Sequence, residues 1–407
     1  MKRFTFLLVI ILFLPAFIIA QEQTEELKVK FSGFVGYDFF FDSYESVTSR
    51  DGEVYLYPSA EKLDINGDDI NKNFEAQMLA IQSRTRLTAS GLSAFGANAK
   101  AVIEGDFLGT ATGYARLFRL RHAFVQLNWD KAELLTGQTW HPMFVTACFP
   151  GTVSFGASAV FNPLNRAPQI RYTFKPTKNF DFMGALLYHG DFRSSGPNYA
   201  QQNSGIPDMQ FQFRFHNKFI YTGFTAGYKF LTPRTETDNL NVKTTETIGS
   251  YNLQVFAKLT TKPITIKLEG VYGQNLSSYV MIGGYGAAED PTVVDDYSYE
   301  NLNTMSVWTE VLTNFDKVNF GLFAGYSSIL GAKDDYYSLD YARGETLDYI
   351  YRISPRIQFK SGKFTYSIEH MMTAAAYATA WDSKHKVTET ADATINHRFL
   401  MGAKYSF

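Results

Sequence analysis

Hydrophobic and polar residues alternate along this chain with a period of two, in one stretch after another. In DMQFQFRFH, Met209, Phe211, Phe213 and Phe215 fall on one face and Asp208, Gln210, Gln212, Arg214 and His216 on the other. An extended strand sends successive side chains to opposite faces, so each such run predicts a β-strand with one apolar side. The first run sets Val29, Phe31, Gly33, Val35, Tyr37, Phe39 and Phe41 against Lys28, Lys30, Ser32 and Asp38. Leu79, Ile81 and Leu87 oppose Gln82, Arg84 and Arg86, and Ala99, Ala101 and Ile103 oppose Lys100, Glu104 and Asp106. The pattern continues through Ile170, Tyr172 and Phe174, through Leu253, Val255 and Leu259, and through Ile353, Ile357 and Phe359. It ends with Ile395, Phe399, Met401, Tyr405 and Phe407 against Asn396, Arg398 and Lys404.

The connections between these runs alternate in length. Short turns are expected at Gly91-Leu92-Ser93, Asp130-Lys131, Pro176 to Asn179, Asn217-Lys218, Thr261 to Pro263, Phe315-Asp316 and Ser361-Gly362. Long polar stretches fall at about 42–74, 190–207, 232–248, 277–301, 331–346 and 378–392. One strand on each side of the seven turns, plus the first and last, predicts sixteen. Outer faces this uniformly apolar suit lipid better than a water-soluble β-sandwich, and no repeat of fixed period supports a propeller. In lipid a sheet must close on itself. The expected fold is all-β: a transmembrane antiparallel β-barrel of about sixteen strands. An even strand number puts both termini on the short-turn side, periplasmic, with the long loops extracellular.

The chain opens with Lys2 and Arg3, an apolar run from Phe4 to Ala20 containing Pro15, and then a polar turn at Gln21-Glu22-Gln23. That is the build of a secretory signal, too short for a good membrane anchor helix. The expected organisation is a signal peptide over 1–20, a short periplasmic segment over 21–27 and an outer-membrane barrel over 28–407. Without residues 1–20 the balance is 36 basic against 40 acidic residues, a net charge of −4, which does not suit a nucleic-acid binder. The single Cys148 excludes an internal disulfide.

Sixteen strands enclose an aqueous lumen rather than a packed core. The inward face would carry Lys30, Arg84, Arg86, Lys100, Arg171, Arg214, Lys258, Lys267, Arg352, Arg356, Lys360, Arg398 and Lys404. The matching acids are fewer: Glu104, Asp106, Asp208, Glu269, Glu310 and Glu369. A confined lumen focuses such an excess into a positive field, which predicts an anion preference. The alternative is a ladder of neutralised pairs with little selectivity. Neither a His-Glu-x-x-His motif nor a Gly-x-Ser-x-Gly elbow is present, so no catalytic residue, cofactor or metal is assigned. Asp64, Asn66, Asp68, Ile70 and Glu75 have the spacing of a calcium loop, but Asp69 stands where that loop needs glycine, and a solvated acidic loop is the default reading.

RLRHAF, LLTGQTW, PGTVSFG and APQIRYTF follow one another over about residues 119–173. In that order they resemble the DcaP-type porins of Gram-negative outer membranes. Elsewhere the match is limited to the alternation and the terminal aromatic. The resemblance implies a sixteen-stranded homotrimeric porin embedded in outer-membrane lipid, whose third extracellular loop folds into the lumen and whose cargo is small anionic or dicarboxylate solutes. Some members carry a helical segment before the barrel, where this chain has Gln21 to Leu27.

The resemblance places Arg119 and Arg121 on the fourth strand and makes His141 to Ala167 the inward loop. Arg84, Arg86, Arg119, Arg121 and Arg171 would then line the constriction, with Lys100, Arg214, Arg352, Arg356 and Arg398 elsewhere along the pore. Phe144, Phe149, Val153, Phe155, Val160 and Phe161 are too apolar for an exposed loop and fit one packed on an inner wall. Within it, Cys148 reads as a small buried hydrophobe. Trp140 would serve an interfacial girdle or anchor the loop, and His141 a hinge or pore rim. The competing reading is a closed barrel acting as a surface adhesin or enzyme through its acidic loops.

Overall fold

The computed structural model describes residues 26–190 and 192–407. The expected signal peptide and most of the segment 21–27 lie outside the described residues. The strands are β1 (Lys28–Asp42), β2 (Glu75–Leu79 and Arg84–Ala94, one strand interrupted), β3 (Ala97–Asp106), β4 (Arg119–Asn128) and β5 (Ala132–Trp140). They continue as β6 (Arg166–Thr177), β7 (Phe180–Leu187), β8 (Asp208–His216), β9 (Ile220–Leu231), β10 (Ile248–Thr260) and β11 (Ile264–Gln274). The last are β12 (Asn303–Thr313), β13 (Val318–Gly331), β14 (Leu347–Ser361), β15 (Phe364–Trp381) and β16 (Thr394–Ser406). Each pairs antiparallel with its neighbours in sequence, and β1 pairs with both β2 and β16, so the sheet closes as a sixteen-stranded barrel.

Closure satisfies the strand edges that lipid could not hydrate. At the seam, Gly33 and Phe407 exchange backbone hydrogen bonds of 3.1 and 3.0 Å, and the Phe407 ring stacks on Phe31 at 5.6 Å. A Cβ at Gly33 would lie 2.2 Å from the Arg84 carbonyl oxygen, so this crossing requires glycine. No helix among the described residues is long and apolar enough to cross a membrane; the crossing is made by strands.

Burial follows the alternation. Phe31, Val255, Ile170 and Phe399 are exposed on the outside, whereas Asn252, Gln254, Asn396 and Arg398 are buried inside. Two local readings are corrected. Leu79 and Ile81 are buried inward, because the break between the two halves of β2 resets the alternation, and they pack with Phe40, Leu108 and Leu400. Gly91 is not a turn: the hairpin closes at 95–96, and Gly91 sits where the β2–β3 register slips by one residue.

The remaining short turns fall where expected, and the long connections lie at 43–74, 107–118, 141–165, 188–207, 232–247, 275–302, 332–346 and 382–393. The one at 107–118 was not anticipated. The last is shorter than expected because β15 runs on to Trp381.

Candidate functional site

Strands β2 to β4 bring four guanidinium groups together over two carboxylates. Arg119 binds Asp106 at 2.7 Å, while Arg121 reaches Glu104 at 2.8 Å and Asp106 at 2.7 Å. Arg86 lies 3.4 Å and Arg84 3.6 Å from Glu104. A β-bulge builds the group: Leu120 pairs with Gly105 and His122 with Glu104, so Arg121 is the extra residue and both Arg121 and His122 are buried inward. Four positive charges against two negative ones leave +2 before His122 is counted. Arg119 and Arg121 are nearly sealed, but the side chains of Arg84 and Arg86 keep 23% and 37% of their exposure. Charge that stays in contact with water inside a narrow wall is what a passing ion feels.

The connection 141–165 is tied to inward-facing side chains of five strands. Gln212 on β8 donates to the Pro142 carbonyl at 2.8 Å, Gln254 on β10 to that of Met143 at 2.7 Å, and Lys267 on β11 to that of Phe149 at 2.8 Å. Further along, Glu310 on β12 accepts the Gly151 N–H at 2.7 Å, and Glu369 on β15 accepts those of Val153 and Ser154 at 2.7 and 3.2 Å. The sequence counts Glu310 and Glu369 only among the inward acids. Glu310 does bind Lys267 and Arg356, each at 2.8 Å, yet both acids also hold loop backbone. Each is the only acid on its strand, and that was the available signal.

Aromatic packing completes the attachment. Trp140 stacks on Phe144 at 3.9 Å and Phe144 on Phe149 at 5.3 Å, while Arg166 lies over the Trp140 ring at 5.0 Å. Trp140 therefore anchors the loop and is not part of an interfacial girdle. His141 is buried, its Nδ1 accepting the Met143 N–H and its Nε2 lying 3.3 Å from Asp208. Cys148 donates to the Ala257 carbonyl at 3.2 Å, and burial pushes its thiol up to about 12. Phe155 packs on the cluster of Phe40 and Leu400. Phe161 meets Phe323 at 6.0 Å and lies so close to Gly325 that a Cβ there would come within 2.9 Å of its ring.

The other inward cations differ in availability. Arg171 is held by Gln169 and the Trp140 carbonyl, and Arg214 by Asp181 at 3.1 Å. Arg352 and Arg398 face inward as expected but are each 1% exposed, so they do not present charge to a lumen. Arg398 grips Asp42 at 2.6 Å, and Arg352 donates to Thr373 at 2.9 Å and to the Leu56 carbonyl at 2.7 Å. Arg356 is likewise buried against Glu310. Lys100 is half-buried. Lys360 and Lys404 are exposed and line a cavity of about 440 Å³ together with residues 149–157 of the loop. Lys229, which the sequence reading passed over, is buried and spent on Asn275 and Ser278.

The calcium-like spacing is used otherwise. Asp64 accepts the N–H groups of Asp68 and Asn66, which hold its carboxyl below the usual range, and Asp69 is tied to Tyr44, Lys62 and Asn71.

A closed sixteen-stranded barrel with an apolar exterior and charged interior has the porin-like fold of an outer-membrane channel. The chain superposes on the outer membrane channel DcaP of Acinetobacter baumannii with a TM-score of 0.70 at 15% identity, covering 94% of this chain and 97% of that one. OmpT, an outer membrane protein of Vibrio cholerae, matches with a TM-score of 0.57 at 9% identity over 94% and 98% of the two chains. The anion-selective porin from Comamonas acidovorans matches with a TM-score of 0.55 at 10% identity over 94% and 100%. No family model matches the sequence, and no curated protein matches it.

Proposed function

We propose that this protein is a porin of the Gram-negative outer membrane that passes small hydrophilic solutes by passive diffusion, with a preference for anions such as small carboxylates. In this reading the 141–165 connection is the third extracellular loop, folded into the lumen to narrow it. The long loops face outward, both termini are periplasmic, and three copies assemble in lipid. No cofactor or catalytic residue is needed, because transport follows the solute gradient.

The observation that carries the reading is the quartet Arg84, Arg86, Arg119 and Arg121 over Glu104 and Asp106. Its inner pair neutralises the acids and its outer pair stays partly accessible, which leaves surplus positive charge for a solute to meet. Lys360 and Lys404 add accessible positive charge at the cavity beside the loop. A neighbour in fold named as anion-selective is consistent with this, but at 10% identity the charge argument rests on these residues. Proteoliposome swelling tests the proposal: a small carboxylate should enter faster than a neutral sugar of similar size, and vesicles that stay impermeable to both would reject it in favour of a closed barrel.

A further inference from the structure

The first long connection, 43–74, holds a second element packed inside the barrel. Ser46–Ser49 and Val54–Pro58 pair as an antiparallel hairpin. It turns through Asp51 and Gly52, both at positive φ as an Asp-Gly hairpin turn requires, and the Glu53 N–H donates to the Arg50 carbonyl at 3.1 Å. Tyr55, Leu56 and Tyr57 are 1%, 7% and 5% exposed, unusual for residues of a loop.

Their burial comes from the inner wall. Arg398 on β16 donates to the Gly52 carbonyl at 2.9 Å and lies 4.6 Å from the Tyr55 ring. Arg352 on β14 binds the Leu56 carbonyl, Asn396 donates to the Tyr55 hydroxyl at 3.2 Å, and Tyr377 on β15 donates to the Pro58 carbonyl at 2.7 Å. Leu56 and Tyr57 share one apolar core with Phe144, Phe161 and Leu164 of the 141–165 loop, so the two loops are packed as one body. At the hairpin's tip side, the Gln82 amide donates to Glu53 at 2.6 Å and to Asp38 at 2.8 Å. The second Glu53 oxygen is buried without a hydrogen-bond partner. Gln82 and Asp38 in turn line the 440 Å³ cavity, facing Phe149, Val153 and Phe155.

We propose that the 46–58 hairpin is a second partition of the pore: packed with the 141–165 loop it fills part of the lumen and leaves solutes the cavity lined by Asp38, Gln82, Lys360, Lys404 and the 149–157 segment. This rests on the porin reading and deepens it. A solute in that cavity meets Gln82 and Asp38, and Gln82 ties them to the hairpin through the buried Glu53. The hairpin's bulk sets the bore, and Glu53 helps to hold it in place.

The test records single-channel conductance in planar bilayers for the native protein, for Leu56→Ala and for the triple variant Tyr55→Ala, Leu56→Ser, Tyr57→Ala. The triple variant should conduct roughly twofold or more above native, as expected when a constriction widens. Leu56→Ala, which removes one apolar anchor of the hairpin, should raise conductance by a smaller factor. If the native channel conducts and the folded variants conduct no better, this inference is overturned while the porin reading stands. If neither the native protein nor the triple variant conducts, both fall. Should the triple variant fail to fold, Leu56→Ala decides alone.

Discussion

Arg84 and Arg398 sit on the inner face of the same barrel, on strands separated only by β1, and have opposite relations to water. Arg84 and its neighbour Arg86 keep 23% and 37% of their side-chain exposure over carboxylates that other arginines already satisfy. Arg398 is sealed under a hairpin, bound through two nitrogens to Asp42 and stacked between Phe40 at 4.1 Å and Tyr55 at 4.6 Å. Strand alternation decides which side of the wall a charge faces. What covers the wall decides whether that charge acts on a solute or on the fold.

The contrast is broken most directly at its buried end. Arg398→Ala should cost about 3–5 kcal/mol, because it strands the Asp42 carboxylate in a closed site; urea titration of the folded barrel in lipid micelles would measure it. On the same packed side, Cys148 carries a thiol whose ionisation is raised to about 12. Below that pH it stays neutral, so at pH 8 its reaction with maleimide should be on the order of a thousandfold slower than that of an ordinary cysteine, and should recover on unfolding. Phe161→Ala removes the ring seated against Phe323 and Gly325 and should cost about 3 kcal/mol in the same titration. At the open end, Arg86→Ala should change stability by less than about 0.5 kcal/mol, as a surface substitution does. Loss of stability comparable to that of Arg398→Ala would erase the distinction between the two walls.

Much of the barrel was legible because its cause is local. Asp208 to His216 declares a strand by alternation alone. In LLTGQTWHPMF the aromatic residues foretold a packed loop, and Trp140 and Phe144 do pack on each other. What escaped depends on non-local closure or on one-residue slips. The break in β2 moves Leu79 and Ile81 to the inside, and the bulge at Arg121 brings His122 inward with it. The acids that hold the loop, Glu310 and Glu369, lie 159 and more than 200 positions away from the N–H groups they accept, a pairing no window of sequence contains. The 46–58 hairpin did leave a signal, Asp51-Gly52 between SVTS and VYLYP, but it sat in a stretch dominated by polar residues.

The central claim is that accessible arginines, not the total of inward cations, set selectivity. Reversal potential across a planar bilayer in a salt gradient tests it, comparing the native protein with Arg84→Ala/Arg86→Ala and with Arg352→Met. The account predicts an anion-selective native channel, a clear shift toward cations in the double variant and no shift in Arg352→Met. A cation-selective native channel, or equal shifts in both variants, would contradict it.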